Sequence, residues 1–196
     1  AFKMRAIDGK MRLTDVADLE GILRIVQSVP SKKAEPIKQW LAQVGSERIH
    51  QMIDPERSIQ QAVADYKKLG YSEKWIANRV KSIDARNELT NEWKRSGMTE
   101  GRDFALLTDL ITKTWSGKTT KEYKQFKGLT KENLRDNMST IELALNTLAE
   151  ASTTEISKRR NPKSLKQNMQ IAKEGGNVAK AARLQLETTI GESVVT

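Results

Sequence analysis

The sequence predicts a mainly α-helical protein in which a small N-terminal β-hairpin precedes about eight or nine helices. Over most of the 196 residues, apolar side chains recur three or four positions apart, which is the spacing of one face of an α-helix. Asp8-Gly9 near the start favours a hairpin turn, because glycine readily adopts positive φ. A lone hairpin is marginal in water, so we expect it to be the edge of a larger sheet. The residues that flank the turn at strand-like spacing are Met4, Ala6, Met11 and Leu13.

Two helices are predicted directly after the hairpin. Thr14 or Asp15 is suited to cap the first helix, because a short polar side chain can accept a hydrogen bond from its first turn. The second helix has Pro36 in its first turn, where proline is tolerated, and we expect it to stop at Gly45. The predicted inner faces are Val16, Leu19, Leu23 and Val26 in the first helix and Ile37, Trp40, Leu41 and Val44 in the second.

The next two helices have clear start signals. Asp54-Pro55 predicts the third helix, with a cap and then proline at the first helical position. That helix ends at Gly70, and Ser72 is a natural cap for a fourth helix that runs to about Arg95. The fourth helix has a wide apolar sector, which indicates packing against two neighbours. Its members are Trp75, Ile76, Val80, Ile83, Leu89 and Trp93.

A fifth helix and a short sixth helix follow. The fifth has a stripe of apolar residues and is closed by Gly117. Thr119 and Glu122 form a capping-box pattern for the sixth, which ends at Gly128. Gly117-Lys118-Thr119 is similar to the end of a phosphate-binding P-loop, but Thr112 stands where that motif requires a glycine. The stripe of the fifth helix is Phe104, Leu107, Ile111 and Trp115.

The last third of the chain predicts one long helix and two shorter ones. Ser139 and Glu142 form a second capping box, and the helix that they start breaks at Asn161-Pro162. A polar helix then runs to Gly175-Gly176, a cap or a close-packing point, and a last helix ends at Gly191. The predicted inner faces are Ile141, Leu145, Leu148 and Ile156 in the long helix and Val178, Ala182, Leu186 and Ile190 in the last.

Composition excludes several kinds of site. The chain has no cysteine and only one histidine, His50, so disulfides, thiolate metal sites and His-rich metal sites are excluded. No motif for a cofactor is present, and we expect none. No apolar run approaches the roughly 20 residues that span a bilayer. The lack of cysteine and of a secretory signal favours the cytoplasm.

The net charge of +9 is concentrated in two windows. Residues 158–183 have a net charge of +7 and residues 118–135 a net charge of +4. The simpler interpretation is a solvated surface, but such an excess also suggests nucleic acid as a partner. Phosphate contacts of this kind give salt-sensitive binding with little base specificity. The candidate nucleic-acid-binding residues are Lys158, Arg159, Arg160, Lys163 and Lys166, and on the short helix Lys121, Lys124 and Lys127.

Several stretches resemble known families. The runs Gly9 to Ala17, Ile25 to Ser28 and Ala34 to Leu41 resemble the second half of the Bro-N domain of phage antirepressors and related prophage proteins. The downstream part is similar to prophage Bro-N proteins and to DNA-damage-inducible protein D. The stretches that show this similarity are Gly70 to Ile76, Glu88 to Lys94, Lys127 to Leu129, Asn133 to Asp136 and Gly175-Gly176.

The junctions near Ile53-Asp54 and Asn161-Pro162 predict three domains, and the resemblance implies a regulatory function. Residues 1–53 would be the C-terminal half of a Bro-N-like domain, so the hairpin would be left from a truncated α+β domain. Residues 54–160 would form a helical domain and residues 161–196 a basic helical arm. We expect a non-enzymatic, DNA-associated regulator of antirepressor or DNA-damage-inducible type, with no catalytic residues carried over.

Two alternatives remain. The first is a module that binds a repressor, a recombination protein or a second copy of the chain without contacting DNA, through the wide sector of the fourth helix or the face of the last. The second and weaker one is a metal-dependent nuclease, which needs only a few converging acids.

Overall fold

The computed structural model describes all 196 residues and divides into two compact units, residues 1–64 and residues 65–196. It contains eight α-helices and a single two-stranded sheet, which confirms the mainly α-helical prediction. No helix has both the length and the apolar content that a membrane crossing requires.

The first unit begins with the predicted hairpin. Strands β1 (Phe2–Arg5) and β2 (Met11–Thr14) pair antiparallel with each other and with no third strand. The connection is a five-residue loop, residues 6–10, in which only Gly9 has positive φ, at +79°. The loop is closed by a hydrogen bond from the Ala6 N–H to the Lys10 carbonyl at 2.9 Å, and within it the Asp8 carboxylate accepts from the Lys10 N–H at 3.2 Å. The turn is therefore longer than the two-residue turn that Asp-Gly favours.

Two helices follow in the first unit, α1 (Leu19–Ser28) and α2 (Glu35–Ile53). Asp18 caps α1 by accepting from the Gly21 N–H at 2.8 Å, so the cap is neither Thr14 nor Asp15. Helix α2 passes through Gly45, because glycine in a helix costs only about 1 kcal/mol and does not end it. No residue of this unit is buried, and the Trp40 side chain is 56% exposed.

The second unit is a helical bundle built around one central helix. Helix α3 (Pro55–Lys68) begins in the first unit and ends in the second. It is followed by α4 (Glu73–Arg95), α5 (Arg102–Ser116), the short α6 (Thr120–Phe126), α7 (Thr140–Arg160) and α8 (Leu165–Ile190). Helix α7 packs against α4, α5 and α8, and α5 also packs against α8. The largest buried apolar side chains are Leu89, Trp93, Leu107, Ile111, Trp115, Tyr123 and Leu143.

The predicted caps of this unit are confirmed. Ser72 accepts from the Trp75 N–H at 3.2 Å at the start of α4. Both capping boxes form, with Thr119 at the start of α6 and Ser139 at the start of α7. Gly117 ends α5 in the left-handed conformation, which is the usual end of a helix and not a P-loop.

The inner face of α7 differs from the predicted one. The predicted Leu145 is buried, but the predicted Ile141 and Leu148 are exposed. Leu143 and Ala149, which were not predicted, are buried. Because three helices surround α7, most of its circumference is covered, including positions whose side chains are polar. The buried polar residues of α7 are Glu142, Asn146, Glu150, Thr153, Thr154 and Ser157.

Helix α8 corrects two predictions. It runs through Gly175-Gly176 as one helix, and the predicted inner residues Val178, Ala182 and Ile190 are exposed. A Cβ on Gly175 would lie 2.6 Å from the backbone nitrogen of Thr153 on α7, so the glycine allows α8 to touch its neighbour. Helix α8 contains most of residues 161–196 and packs against α5 and α7, and the domain boundary after residue 160 stays a prediction. The close-packing interpretation of the two glycines is confirmed.

Candidate nucleic-acid interface

The outer face of α8 has a row of lysines. Lys166, Lys173 and Lys180 are seven residues apart, which is close to two turns, so they share a face and lie about 10.5 Å apart. All three side chains are exposed and none takes part in an ion pair. We call these three residues the α8 lysine row.

The turn between α7 and α8 adds cations beside the start of this row. Lys163 is exposed and has no acidic partner. The other three predicted residues, Lys158, Arg159 and Arg160, each contact a glutamate. Exposed pairs of this kind contribute little, about 0 to 1 kcal/mol each, so an incoming phosphate can replace the glutamate at small cost. The pairs are Lys158–Glu88 at 3.8 Å, Arg159–Glu155 at 2.7 Å and Arg160–Glu174 at 2.6 Å.

The three predicted lysines of α6 and its C-terminal end do not behave alike. Lys121 and Lys124 have no acidic partner. Lys127 is only 10% exposed, and its Nζ lies 3.0 Å from the buried Glu142 carboxylate and also donates to the carbonyl of Thr196. Its charge is therefore used inside the second unit, and we leave Lys127 out of the candidate interface.

Glu142 explains why Lys127 is held inside. The carboxylate is fully buried and accepts hydrogen bonds from the Tyr123 hydroxyl, the Ser139 N–H at 2.6 Å and the Thr196 N–H at 3.2 Å, besides the Lys127 ammonium. Burial, and then the hydrogen bond to Glu142, raise the pKa of Tyr123 far above its usual range. This cluster joins α6, the start of α7 and residue 196.

Two lysines of the α8 lysine row were not among the predicted site residues. Lys173 and Lys180 lie on either side of Gly175-Gly176. Because a break in the helix was predicted there, the sequence did not show that the two lysines share one helix face. The heptad spacing of the three lysines is the signal that finds them, provided that α8 is taken as one helix.

The apolar surfaces and the acidic cluster that the alternative functions require differ in whether the structure contains them in accessible form. The apolar sector of α4 is mostly used within the second unit, since Trp75, Leu89 and Trp93 are buried. On α8, Val178 and Ile190 are close to half exposed and remain accessible. No three acidic or histidine side chains converge in a way that could hold a metal ion, which is what the nuclease alternative requires.

Comparison with known proteins gives one family. Residues 69–196 match the family model described as the DinD C-terminal domain. The match spans α4 to α8 and all of the interface described above. It confirms the similarity to DNA-damage-inducible protein D, while the Bro-N resemblance of residues 1–53 stays a prediction. No curated protein matches the chain.

Proposed function

The chain belongs to the DinD C-terminal domain family, and we propose that it is a non-enzymatic regulator of the DNA-damage response that binds DNA through its basic helices. The α8 lysine row, with Lys163 beside it, is the observation that supports this proposal. The surrounding unit adds to it, since residues 65–196 contain 24 basic and 17 acidic residues.

The spacing of the row suits a phosphate backbone. Its interval of about 10.5 Å is about three times the rise of 3.4 Å per phosphate that one strand makes along the duplex axis. No aromatic side chain lies between Phe126 and the end of the chain, so base stacking adds nothing on α8. We therefore expect binding that depends strongly on salt and weakly on base sequence.

The test replaces the row and measures salt dependence. The triple variant K166Q/K173Q/K180Q is compared with K74Q/K81Q/K131Q, which removes the same charge from exposed and unpaired lysines elsewhere in the second unit. Fluorescence anisotropy with a labelled duplex of mixed sequence gives the slope of log K against log salt concentration. We expect the slope to fall by about 2.7 in the row variant, because each lost phosphate contact removes about 0.9. The control variant keeps a slope close to the original.

Two results would contradict the proposal. An equal loss of affinity in both variants would show that only the net charge of the unit matters. An original chain that binds no duplex at about 50 mM salt would exclude DNA as the partner of this surface, because non-specific binding is strongest at low salt.

The accessible apolar residues of α8 favour the second candidate function, a module that binds a repressor, a recombination protein or a second copy. Val178 and Ile190 lie on the same helix as the lysine row and are close to half exposed. Sedimentation velocity over a hundredfold range of concentration tests self-association. A single species of 22.1 kDa throughout would leave only the binding of another protein.

A further inference from the structure

A second basic site lies in the second unit, away from α8. A cavity of about 900 Å³ opens where α4, α5, α6 and the loop after α6 meet. Its charged lining residues are Arg86, Lys121, Lys124 and Asp109. The Asp109 carboxylate already accepts a hydrogen bond from the Thr120 N–H at 2.7 Å. The lining therefore has a net charge of +2, and the carboxylate of its single acidic residue already has a hydrogen-bond partner.

The inner wall of the cavity contains the half-buried Arg86, which shares one buried carboxylate with the half-buried Arg135. Arg86 donates to the Thr108 hydroxyl at 2.7 Å and lies over the Trp93 ring at 5.1 Å. Behind it, the buried Glu150 carboxylate is shared by Arg135 at 2.5 Å and Arg86 at 3.6 Å. One carboxylate thus faces two guanidinium groups. Nη1 of Arg86, which is the atom that lies nearest Glu150, and Oε2 of Glu150 are both buried without a hydrogen-bond partner.

This arrangement leaves Arg86 under-compensated. Burial lowers the pKa of the Arg86 guanidinium; Glu150 opposes that change and Arg135 adds to it. Buried charge without a full set of partners is costly. An anion in the cavity would supply the missing compensation.

The outer wall provides two lysines without acidic partners and an apolar surface. Lys121 and Lys124 are three residues apart on α6, so they lie on neighbouring positions of one face, and neither has an acidic partner. Leu106 and Leu129 line the same cavity and give it an apolar side. The volume lies within the range of about 300 to 1,000 Å³ that is typical of small-molecule sites.

We propose that this cavity binds a nucleotide by its 5′-phosphomonoester, either as a free nucleotide or as the terminal nucleotide of a DNA strand. A phosphomonoester has a charge of about −1.5 to −2 at neutral pH, which matches the lining, whereas an internal phosphodiester has only one negative charge. Lys121 and Lys124 contact the phosphate with Arg86 behind them, and the sugar and base lie against the leucines. The inference goes beyond the proposed function, because it uses no residue of the α8 lysine row.

Titration calorimetry of the full chain tests the site. The probes are deoxyadenosine 5′-monophosphate, deoxyadenosine and inorganic phosphate. We expect the monophosphate to bind at least ten times more tightly than either fragment, because only it engages both the cations and the apolar side. K121Q/K124Q should weaken it at least tenfold. K74Q/K81Q, which removes the same charge from exposed positions of α4, should change it less than twofold.

Competition by oligonucleotides separates the two sources of the phosphate. A 5′-phosphorylated 12-mer and its 5′-hydroxyl counterpart compete with the monophosphate for K166Q/K173Q/K180Q, in which the row cannot hold the strand. Competition by the phosphorylated strand alone identifies a strand end, and competition by neither identifies the free nucleotide. If this variant keeps its affinity for the monophosphate, the cavity binds its ligand independently of the α8 lysine row. A failure of the cavity proposal can then be distinguished from a failure of the proposed function.

Four results would overturn the proposal. These are no saturable binding of the monophosphate, equal binding of inorganic phosphate, unchanged affinity in K121Q/K124Q with its helical circular dichroism intact, and competition by the 5′-hydroxyl strand that is as strong as competition by the phosphorylated strand.

Discussion

At the scale of single residues, the second unit depends on two buried carboxylates. Glu142 is held by Tyr123 and Lys127, and Glu150 by two arginines. Removing one partner of a buried ion pair costs about 3 to 5 kcal/mol, because the other charge stays buried. Lys127 was predicted from the sequence as a phosphate contact, but its place in the fold is set by the need of the buried Glu142 carboxylate for a positively charged partner. Sequence alone did not reveal it, because the acid lies 15 positions away and its burial depends on the whole bundle.

The Tyr123 hydroxyl makes stability depend on alkaline pH. Its neutral form donates to Glu142, and its pKa in the folded chain is raised above the ordinary value of about 10. The contribution to stability is therefore complete below pH 10 and is lost as the pH rises above that value toward the raised pKa. We expect the free energy of unfolding to fall more steeply above pH 10 in the original chain than in Y123F, by up to about 1.4 kcal/mol per pH unit.

Urea unfolding at several pH values between 8 and 11.5 measures this difference. Y71F is the matched control, since the Tyr71 hydroxyl donates to a backbone carbonyl of residue 136 and not to a carboxylate. Equal slopes for the original chain and Y123F would show that the Tyr123 hydroxyl ionises as readily in the folded chain as in the unfolded chain.

At the scale of elements, local signals predicted the ends of helices better than their faces. Ser72, Thr119, Ser139 and Pro55 mark helix starts, because a cap depends only on residues within one turn. The faces of α7 and α8 depend on which helices surround them, so apolar periodicity alone chose exposed residues such as Ile141. Glycine was ambiguous for the same reason, since Gly45 and Gly175 both lie inside helices.

Gly175 should tolerate no side chain. In G175A the new Cβ would lie 2.6 Å from the nitrogen and 2.7 Å from the Cα of Thr153, so the α7 and α8 backbones must move apart. Overpacking of this kind typically costs about 1 to 3 kcal/mol, against a gain of about 1 kcal/mol in helix propensity. Because the contact is with backbone, we expect a cost at the upper end of that range, about 3 kcal/mol, and hence a net loss of stability of about 2 kcal/mol, measured by urea unfolding with tryptophan fluorescence.

G45A is the control for this prediction. Gly45 is also within a helix, but a Cβ there would meet no atom within 4 Å. That variant should leave the unfolding of the second unit unchanged. A G175A chain as stable as the original would mean that α7 and α8 do not cross at this point.

At the scale of the whole molecule, the excess of basic residues was predictable from the sequence, but which of them pair with acidic residues was not. The basic windows were visible as a surplus of lysine and arginine, and most of the named residues are exposed. Lys158 pairs with Glu88, which lies 70 positions away, and Arg160 pairs with Glu174, which lies 14 positions away. No local sequence pattern predicts these pairs. The cavity at Arg86 is likewise formed by three helices and a loop, so its cations converge only in the folded bundle.

The two units should differ sharply in hydrogen exchange. Every fully buried residue lies in residues 65–196, whereas α1, α2 and the hairpin bury none. Amides open locally where few apolar side chains are buried and only by global unfolding where a core is formed. Hydrogen-exchange mass spectrometry of the full chain should therefore show peptides from residues 1–53 exchanging within seconds and peptides from α5 and α7 protected for hours. Protection of residues 1–53 equal to that of α7 would contradict this expectation, and would mean that their apolar side chains, among them Trp40, are covered in solution.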